Sequence, residues 1–399
     1  MNRTIRVVLY VLSILTVAGV FAAFIFSGGK NTAETSSTVM QETENVSKLE
    51  ENIISTEEPE ETENTKETEN TEGVEETENA EQEEHAAAEK ETTLIFTGDV
   101  LFANAFKAGY DAGGMNGVVA EDLLQELKEA DILMINNEFP FSDRGETMAD
   151  KQFVFRCEPS YVKALTEMGV DIVSLANNHT LDYGKDALRD TFATLDEAGI
   201  LYGGAGDTVE RAQQIQIIEA NGKKFGFLAV SRVVPTADWK VENSAPGLFS
   251  CYDETRLLDL IEEGKKQCDF LTVFPHWGTE YSEAPDENQK QIAQKCMEAG
   301  ADLIVGSHTH CLEGIEYING KPVFYSLGNF IFGQSIEQSA AVEVTVKEDG
   351  TASYRLLPVY AAGGVTQNMD EAAAGKLFSY MQQISFNAAI DEKGNITED

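Results

Sequence analysis

Histidine is scarce in this chain: five residues in 399, His85, His179, His276, His308 and His310. Cysteine is as scarce, and Cys157, Cys251, Cys268, Cys296 and Cys311 show no Cys-x-x-Cys spacing. An odd, scattered set excludes a disulfide framework and reads as small core residues. Positive charge is short as well, with 29 Lys and Arg against 69 Asp and Glu and a net charge of -40. No basic face suited to a phosphate backbone is present, which excludes nucleic acid as a partner. Charge of either sign is absent from Val7 to Phe26.

That uncharged run holds twenty residues. A helix of that length spans roughly 30 Å, the apolar thickness of a bilayer. Arg3 and Arg6 precede it, which predicts a cytoplasmic N-terminus and everything after the run outside the cell membrane. A cleaved signal peptide is the alternative, but its apolar core is usually about 7–15 residues. No cysteine lies close after the run, so a lipoprotein signal is not expected. Residues 1–27 therefore read as an uncleaved single-pass anchor. Residues 28–91 hold 21 Glu, no Asp and 4 Lys, and Glu-Thr-Glu-Asn recurs at 42, 61, 67 and 76. Mutual repulsion and the lack of apolar residues predict a disordered, extended acidic stalk.

From Thr92 to the end, residues 92–399 read as a folded α/β domain carrying 48 acids and 23 bases. Apolar runs at Thr93–Thr97, Ile132–Ile135 and Ile172–Leu175 alternate with helical periodicity over Val118–Ala130, Pro159–Met168 and Lys185–Ala198. Such alternation predicts crossovers and a largely parallel sheet. Further strands are expected at Gln213–Glu219, Phe225–Val230, Leu271–Phe274 and Leu303–Val305, and a helix at Glu287–Ala299. Hairpin strands are expected at Ile315–Ile318, Val323–Tyr325 and Ala341–Lys347, with Asn319-Gly320 as a tight turn.

The polar residues at the ends of the apolar runs carry the chemistry. Asp99, Glu138, Asn178-His179, His276 and His308/His310 all lie just past the C-terminal end of a strand. That edge of an α/β sheet is where ligands bind. Apart from His85, every histidine in the chain sits there. Gly306-Ser307-His308-Thr309-His310 leaves a strand and can aim two neutral nitrogens at a cation. An Asp, Glu, Asn and His set suits Mn, Fe or Zn, as one or two divalent ions.

Thr97-Gly98-Asp99-Val100-Leu101, Asn137-Glu138, Asn177-Asn178-His179, His276-Trp277-Gly278-Thr279-Glu280-Tyr281, Gly306-Ser307-His308-Thr309-His310 and Ser326-Leu327-Gly328-Asn329-Phe330 resemble the CapA/PgsA family of capsule and poly-γ-glutamate synthesis proteins. That family is similar in turn to the calcineurin-like metallophosphoesterases. The resemblance covers about residues 93–335. It implies a four-layer α/β/β/α sandwich with a two-metal site at one sheet edge, on a membrane-anchored, extracytoplasmic protein. It implies that Asp99 and His310 hold a first metal. Glu138 stands where the superfamily has a bridging Asp, and Asn178, His276 and His308 would hold the second metal. His179, with Asn178 beside it, would be the catalytic acid or the donor that steadies developing charge. Two departures stand out. Leu101 occupies the histidine position of the superfamily's Asp-x-His motif. Thr180 comes after His179 where a carboxylate is usual, leaving Asp182 to orient the imidazole.

Around this set, Asn329 is either a turn asparagine with positive φ or a site residue. Glu280 is either a metal or substrate ligand or a solvated loop acid. Arg156 and Arg232 either hold a substrate carboxylate or phosphate or form surface ion pairs. Trp277 reads as a wall of the pocket. Two functions are consistent with these residues. One is a metal-dependent hydrolase acting on a phosphoester or on the amide of an anionic capsular polymer. The other is a non-catalytic component that binds or anchors the polymer beside other membrane capsule-synthesis proteins.

Overall fold

The computed structural model describes residues 91–242 and 245–399. The anchor read over 1–27 and the stalk read over 28–91 lie outside the described residues, Glu91 apart. Among the described residues no helix is long and apolar enough to cross a membrane.

The chain begins with β1 (Thr92–Val100), then α1 (Asn104–Gly113), α2 (Glu121–Glu129), β2 (Ile132–Asn137), α3 (Val162–Met168), β3 (Ile172–Ser174), α4 (Gly184–Ala198) and β4 (Leu201–Gly203). Strands β1 to β4 pair in parallel in that order. Parallel neighbours need a crossover, and the helices supply it. Positive-φ glycines end two of them, Gly169 at 86° after α3 and Gly199 at 73° after α4. Helix α2 is shorter than the periodicity suggests, because Val119 is taken into a bridge with Thr366.

The second sheet is built from β5 (Gln216–Ala220), β6 (Lys223–Ser231), β7 (Phe270–His276), β8 (Leu303–Val305), β9 (Ile315–Ile318) and β10 (Lys321–Phe324). Its spatial order is β9-β10-β8-β7-β6-β5. Helices α5 (Thr255–Gly264) and α6 (Glu287–Ala299) connect it. Helix α6 starts on a reciprocal cap in which Asp286 accepts from Gln289 N and the Gln289 side chain accepts from Asp286 N. The β9–β10 hairpin turns at Asn319 and Gly320, both with positive φ.

The C-terminal part returns to the first sheet. Strands β11 (Asn329–Ile331), β12 (Ser335–Val346), β13 (Ala352–Ala362), β14 (Val365–Asn368), β15 (Ala388–Ile390) and β16 (Asn395–Glu398) widen it, with α7 (Glu371–Ile384) between. Most of these were not anticipated from the sequence, and β12 begins six residues before Ala341.

Side-chain alternation sorts the core into three slabs. Leu94 and Phe96 of β1 face Phe225, Phe227, Phe274 and Val305 of the second sheet. Ile95, between them, faces the layer of α1 to α4. On the second sheet Phe270 and Phe274 point inward, whereas Leu271, Val273 and Ile304 pack against α5 and α6. The result is helix, sheet, sheet, helix. Both sheets end their parallel strands at one common edge.

Candidate metal centre

Asp99 and Glu138 come from the ends of β1 and β2, Asn178 and His179 from the loop after β3. His276 ends β7, and His308 and His310 lie just after β8. Both sheets thus contribute. Donor atoms of Glu138, His276 and His308 all lie within 4.8 Å of one another, and so do those of Asp99, Glu138 and His310. Glu138 belongs to both groups. Asn178 joins the first, with Oδ1 2.9 Å from His276 Nε2.

The local backbone is shaped for this. His308 and His310 hold φ of 100° and 59°, a region side-chain-bearing residues seldom occupy. Gly98 allows β1 to pass the Gly328 carbonyl, because a Cβ there would stand 1.8 Å from that oxygen.

The cluster is largely buried, and the fully buried Glu138 carboxyl is pushed well above its ordinary range by burial and then by Asp99. Burial drives His276 well below its ordinary value and lowers His308 to about 4. Burial acts the same way on His310, but Glu138 and Asp99 outweigh it and raise this imidazole to about 10. Its Nδ1 faces two acceptors, Asn329 Oδ1 at 2.9 Å and Asp99 Oδ2 at 3.2 Å. Two cluster atoms, Glu138 Oε1 and His308 Nδ1, are buried with no hydrogen-bond partner. Buried polar atoms are rarely left so, and a cation between them would satisfy both. His276 and His308 are held neutral and ready to donate, and a cation would displace the protons favoured on Glu138 and His310, so the residues present fit a divalent metal.

Beside the cluster, His179 Nδ1 lies 2.6 Å from Asp182 Oδ2. Lys151, from a loop without helix or strand, bonds to Asp182 and to the Asn178 carbonyl, and its Nζ is 3.0 Å from His179 Nδ1. The Phe155 ring lies tilted against His179 at 4.5 Å between ring centroids, and the Phe155 N–H donates to Asp182 Oδ2. Asn136 Nδ2 donates to Asp99 Oδ1 at 2.8 Å, and Asn177 donates to Asn136 Oδ1 at 3.1 Å.

The remaining candidates scatter more widely. Asn329 touches His310 through its side chain, and the positive φ belongs to its neighbour Gly328 at 73°. Glu280 is exposed and lies within electrostatic reach of Glu138 and Lys151. The Arg156 guanidinium sits 4.2 Å over the Tyr183 ring and donates to the Arg144 carbonyl, turned toward neither donor group. Trp277 packs in the outer core, with Nε1 donating to the Tyr325 carbonyl. Leu101 is 3% exposed and faces the helix-side core, so it offers the cluster nothing. Lys151 and Asn136 were not singled out from the sequence. Asn136 stands beside the quoted Asn137-Glu138, and its place at the strand end was the available signal. Lys151 carried none.

A family model described as "Bacterial capsule synthesis protein PGA_cap" matches residues 93–334. The "PGA biosynthesis protein CapA" of Bacillus subtilis (strain 168) is 30% identical over 269 residues, 66% of this chain and 70% of that protein. The "Capsule biosynthesis protein CapA" of Bacillus anthracis is 30% identical over 295 residues, 71% of each chain. Among solved structures, the sulfate thiohydrolase SoxB of Thermus thermophilus shares 12% identity at a TM-score of 0.40, covering 67% of this chain and 56% of that one. The match over residues 93–334, which carries the donor cluster from Asp99 to Asn329, makes this chain a member of the bacterial capsule synthesis protein family PGA_cap.

Proposed function

We propose that this chain is a membrane-anchored, extracytoplasmic capsule-synthesis protein. Its strand-edge cluster binds one or two divalent cations and hydrolyses a bond in an acidic capsular polymer or its precursor. The observation that carries the reading is the sharing of Glu138 between two donor groups whose unpartnered atoms are buried. When bound there, a divalent ion supplies Lewis-acid polarisation of a phosphoryl or amide oxygen. The chain's own part is positional. Asp99 and, once a cation displaces its proton, Glu138 would supply negative charge, and Asn136 holds both in place. His276, His308 and Asn178 fill the other side. His179 is fixed through Nδ1 by Asp182, which leaves Nε2 to exchange a proton with a leaving group. Asn329 and Glu280 are the substrate-side candidates. Arg156 would have to leave Tyr183 to join them.

Full-length protein carrying His310→Ala should lose metal-dependent turnover of polymer or phosphoester. Full turnover by that variant would overturn the hydrolase reading. One observation favours a second reading, a polymer-binding accessory without catalysis. Leu101 puts an apolar side chain where the superfamily places a first-metal histidine. In that case capsule attachment survives loss of His310 but not loss of residues 1–27.

A further inference from the structure

The segments beside His276 carry a second feature. Ser231, the last residue of β6, pairs with His276, and the Arg232 N–H donates to the His276 carbonyl at 2.8 Å. Ser250 bridges to Ser231, which brings Tyr252 alongside. Tyr252 is 47% exposed. Two cations lie over it, the Arg232 guanidinium 4.5 Å and the Lys240 ammonium 4.9 Å from the ring centroid. Next to Lys240, the Trp239 ring lies under Lys151, 5.2 Å away, and Lys151 reaches back to His179 and Asp182. A cationic and aromatic arc therefore runs from His276 round to His179.

Neither Arg232 nor Lys240 has a carboxylate ion pair or a side-chain hydrogen bond among the described residues. Three neighbouring acids have other partners, whereas Glu242 and Asp259, the latter lining a pocket with Lys240, have no side-chain partner among the described residues. Asp253 accepts from Thr255 N at 3.0 Å, Asp238 accepts from the Thr236 hydroxyl, and Glu254 pairs with Lys295. In a domain with 48 acids and 23 bases, two unpaired cations on one exposed ring are not expected from composition. An anion docking at this ring would be attracted by both cations. The same excess of acid repels a polyanion at long range, so binding one needs such local positive charge.

We propose that Arg232 and Lys240, on the Tyr252 ring, form a carboxylate-binding subsite. It holds an acidic group of the polymer one or more residues away from the bond at the donor cluster. This rests on the acidic-polymer reading above. Adjacent strands lie about 4.8 Å apart, so Arg232 is one strand-width from the backbone of His276. A planar guanidinium can grip a carboxylate through two N–H groups.

The test uses the full-length protein and γ-linked glutamate oligomers of increasing length, with binding read by calorimetry at low and high salt. The Arg232→Gln/Lys240→Gln variant should bind long oligomers on the order of tenfold more weakly, with a shallower salt dependence. Its metal content and its affinity for inorganic phosphate should match the parent. Arg232→Lys should recover part of the loss. Unchanged oligomer affinity in the double variant would overturn the subsite and leave the polymer reading intact. Absence of oligomer binding by the parent would remove both. Equal competition by inorganic phosphate, or a loss confined to anionic lipid vesicles, would overturn the carboxylate assignment.

Discussion

His179 Nδ1 lies 2.6 Å from Asp182 Oδ2, three residues along the chain, and the Asp182 carboxylate is fully buried. Lys151 shares that carboxylate through its other oxygen. One acid therefore orients an imidazole and neutralises an ammonium together.

Asp182→Asn should reduce turnover on the order of 100-fold, since the imidazole loses its orienting acceptor. It should also destabilise the fold by about 3 kcal/mol by stranding the Lys151 cation. Adding Lys151→Met removes the stranded charge. Denaturant midpoints should then recover while kcat does not, and measuring both on the pair of variants separates the roles.

Cation binding should raise stability, because the donors come from two sheets that unfolding would part. At a free Mn²⁺ concentration 100-fold above Kd, linkage adds about 2.7 kcal/mol. Chelator should lower the thermal midpoint and added Mn²⁺ restore it. Glu138→Gln, which alters a donor common to both groups, should abolish the metal response in calorimetry and lower the bound metal measured by elemental analysis.

Glu313 gives a pH prediction away from the donor cluster. It is fully buried, accepts from Gln289 Nε2 at 2.7 Å, and is raised by burial from 4.5 to about 7. The folded state then holds a proton that the unfolded state has released. This contribution is complete below about pH 4.5, declines as pH rises through 7, and is flat above that. Roughly 3 kcal/mol is at stake. Glu313→Gln should flatten the corresponding part of the stability profile between pH 4.5 and 8, read as the difference between two sets of denaturant curves.

Two glycines should respond oppositely to alanine. Gly98→Ala drives a Cβ to 1.8 Å from the Gly328 carbonyl oxygen, so soluble yield and cooperative unfolding should be lost. Gly375 lies within α7 and faces open space. Gly375→Ala should stabilise by about 0.5–1 kcal/mol, measured by chemical denaturation.

The buried strands and their polar ends were legible because a parallel strand buried on both faces reads as an unbroken apolar run. Leu303–Val305 leading to His308 and His310 is such a case, and the helix at Glu287–Ala299 has the bounds its periodicity suggested. The widening of the first sheet was not legible. Strand β13 carries Pro358 mid-strand, and three of the first four residues of β12, Ser335, Glu337 and Gln338, are exposed and mask the pairing to come. Helix α1 lacks a side-chain cap and contains two glycines, so nothing local announces it. Within the site, strand-end residues could be named from position alone. Lys151 could not, because its place is decided by a loop that closes on Asp182 through contacts 31 residues apart. Arg156 shows the converse, since no local pattern reveals that Tyr183 would take its guanidinium.

The tight meeting of Gly98 with Gly328, repeated where Gly306 passes the Tyr325 carbonyl at a virtual Cβ distance of 2.1 Å, has a consequence for divergence within the family. The floor of the pocket is set by backbone against backbone and tolerates almost no rewriting. The rim, residues 146–156 and 232–242, holds no glycine pressed in this way. Relatives should therefore vary most in the rim, while the floor passes from one to the next nearly unaltered.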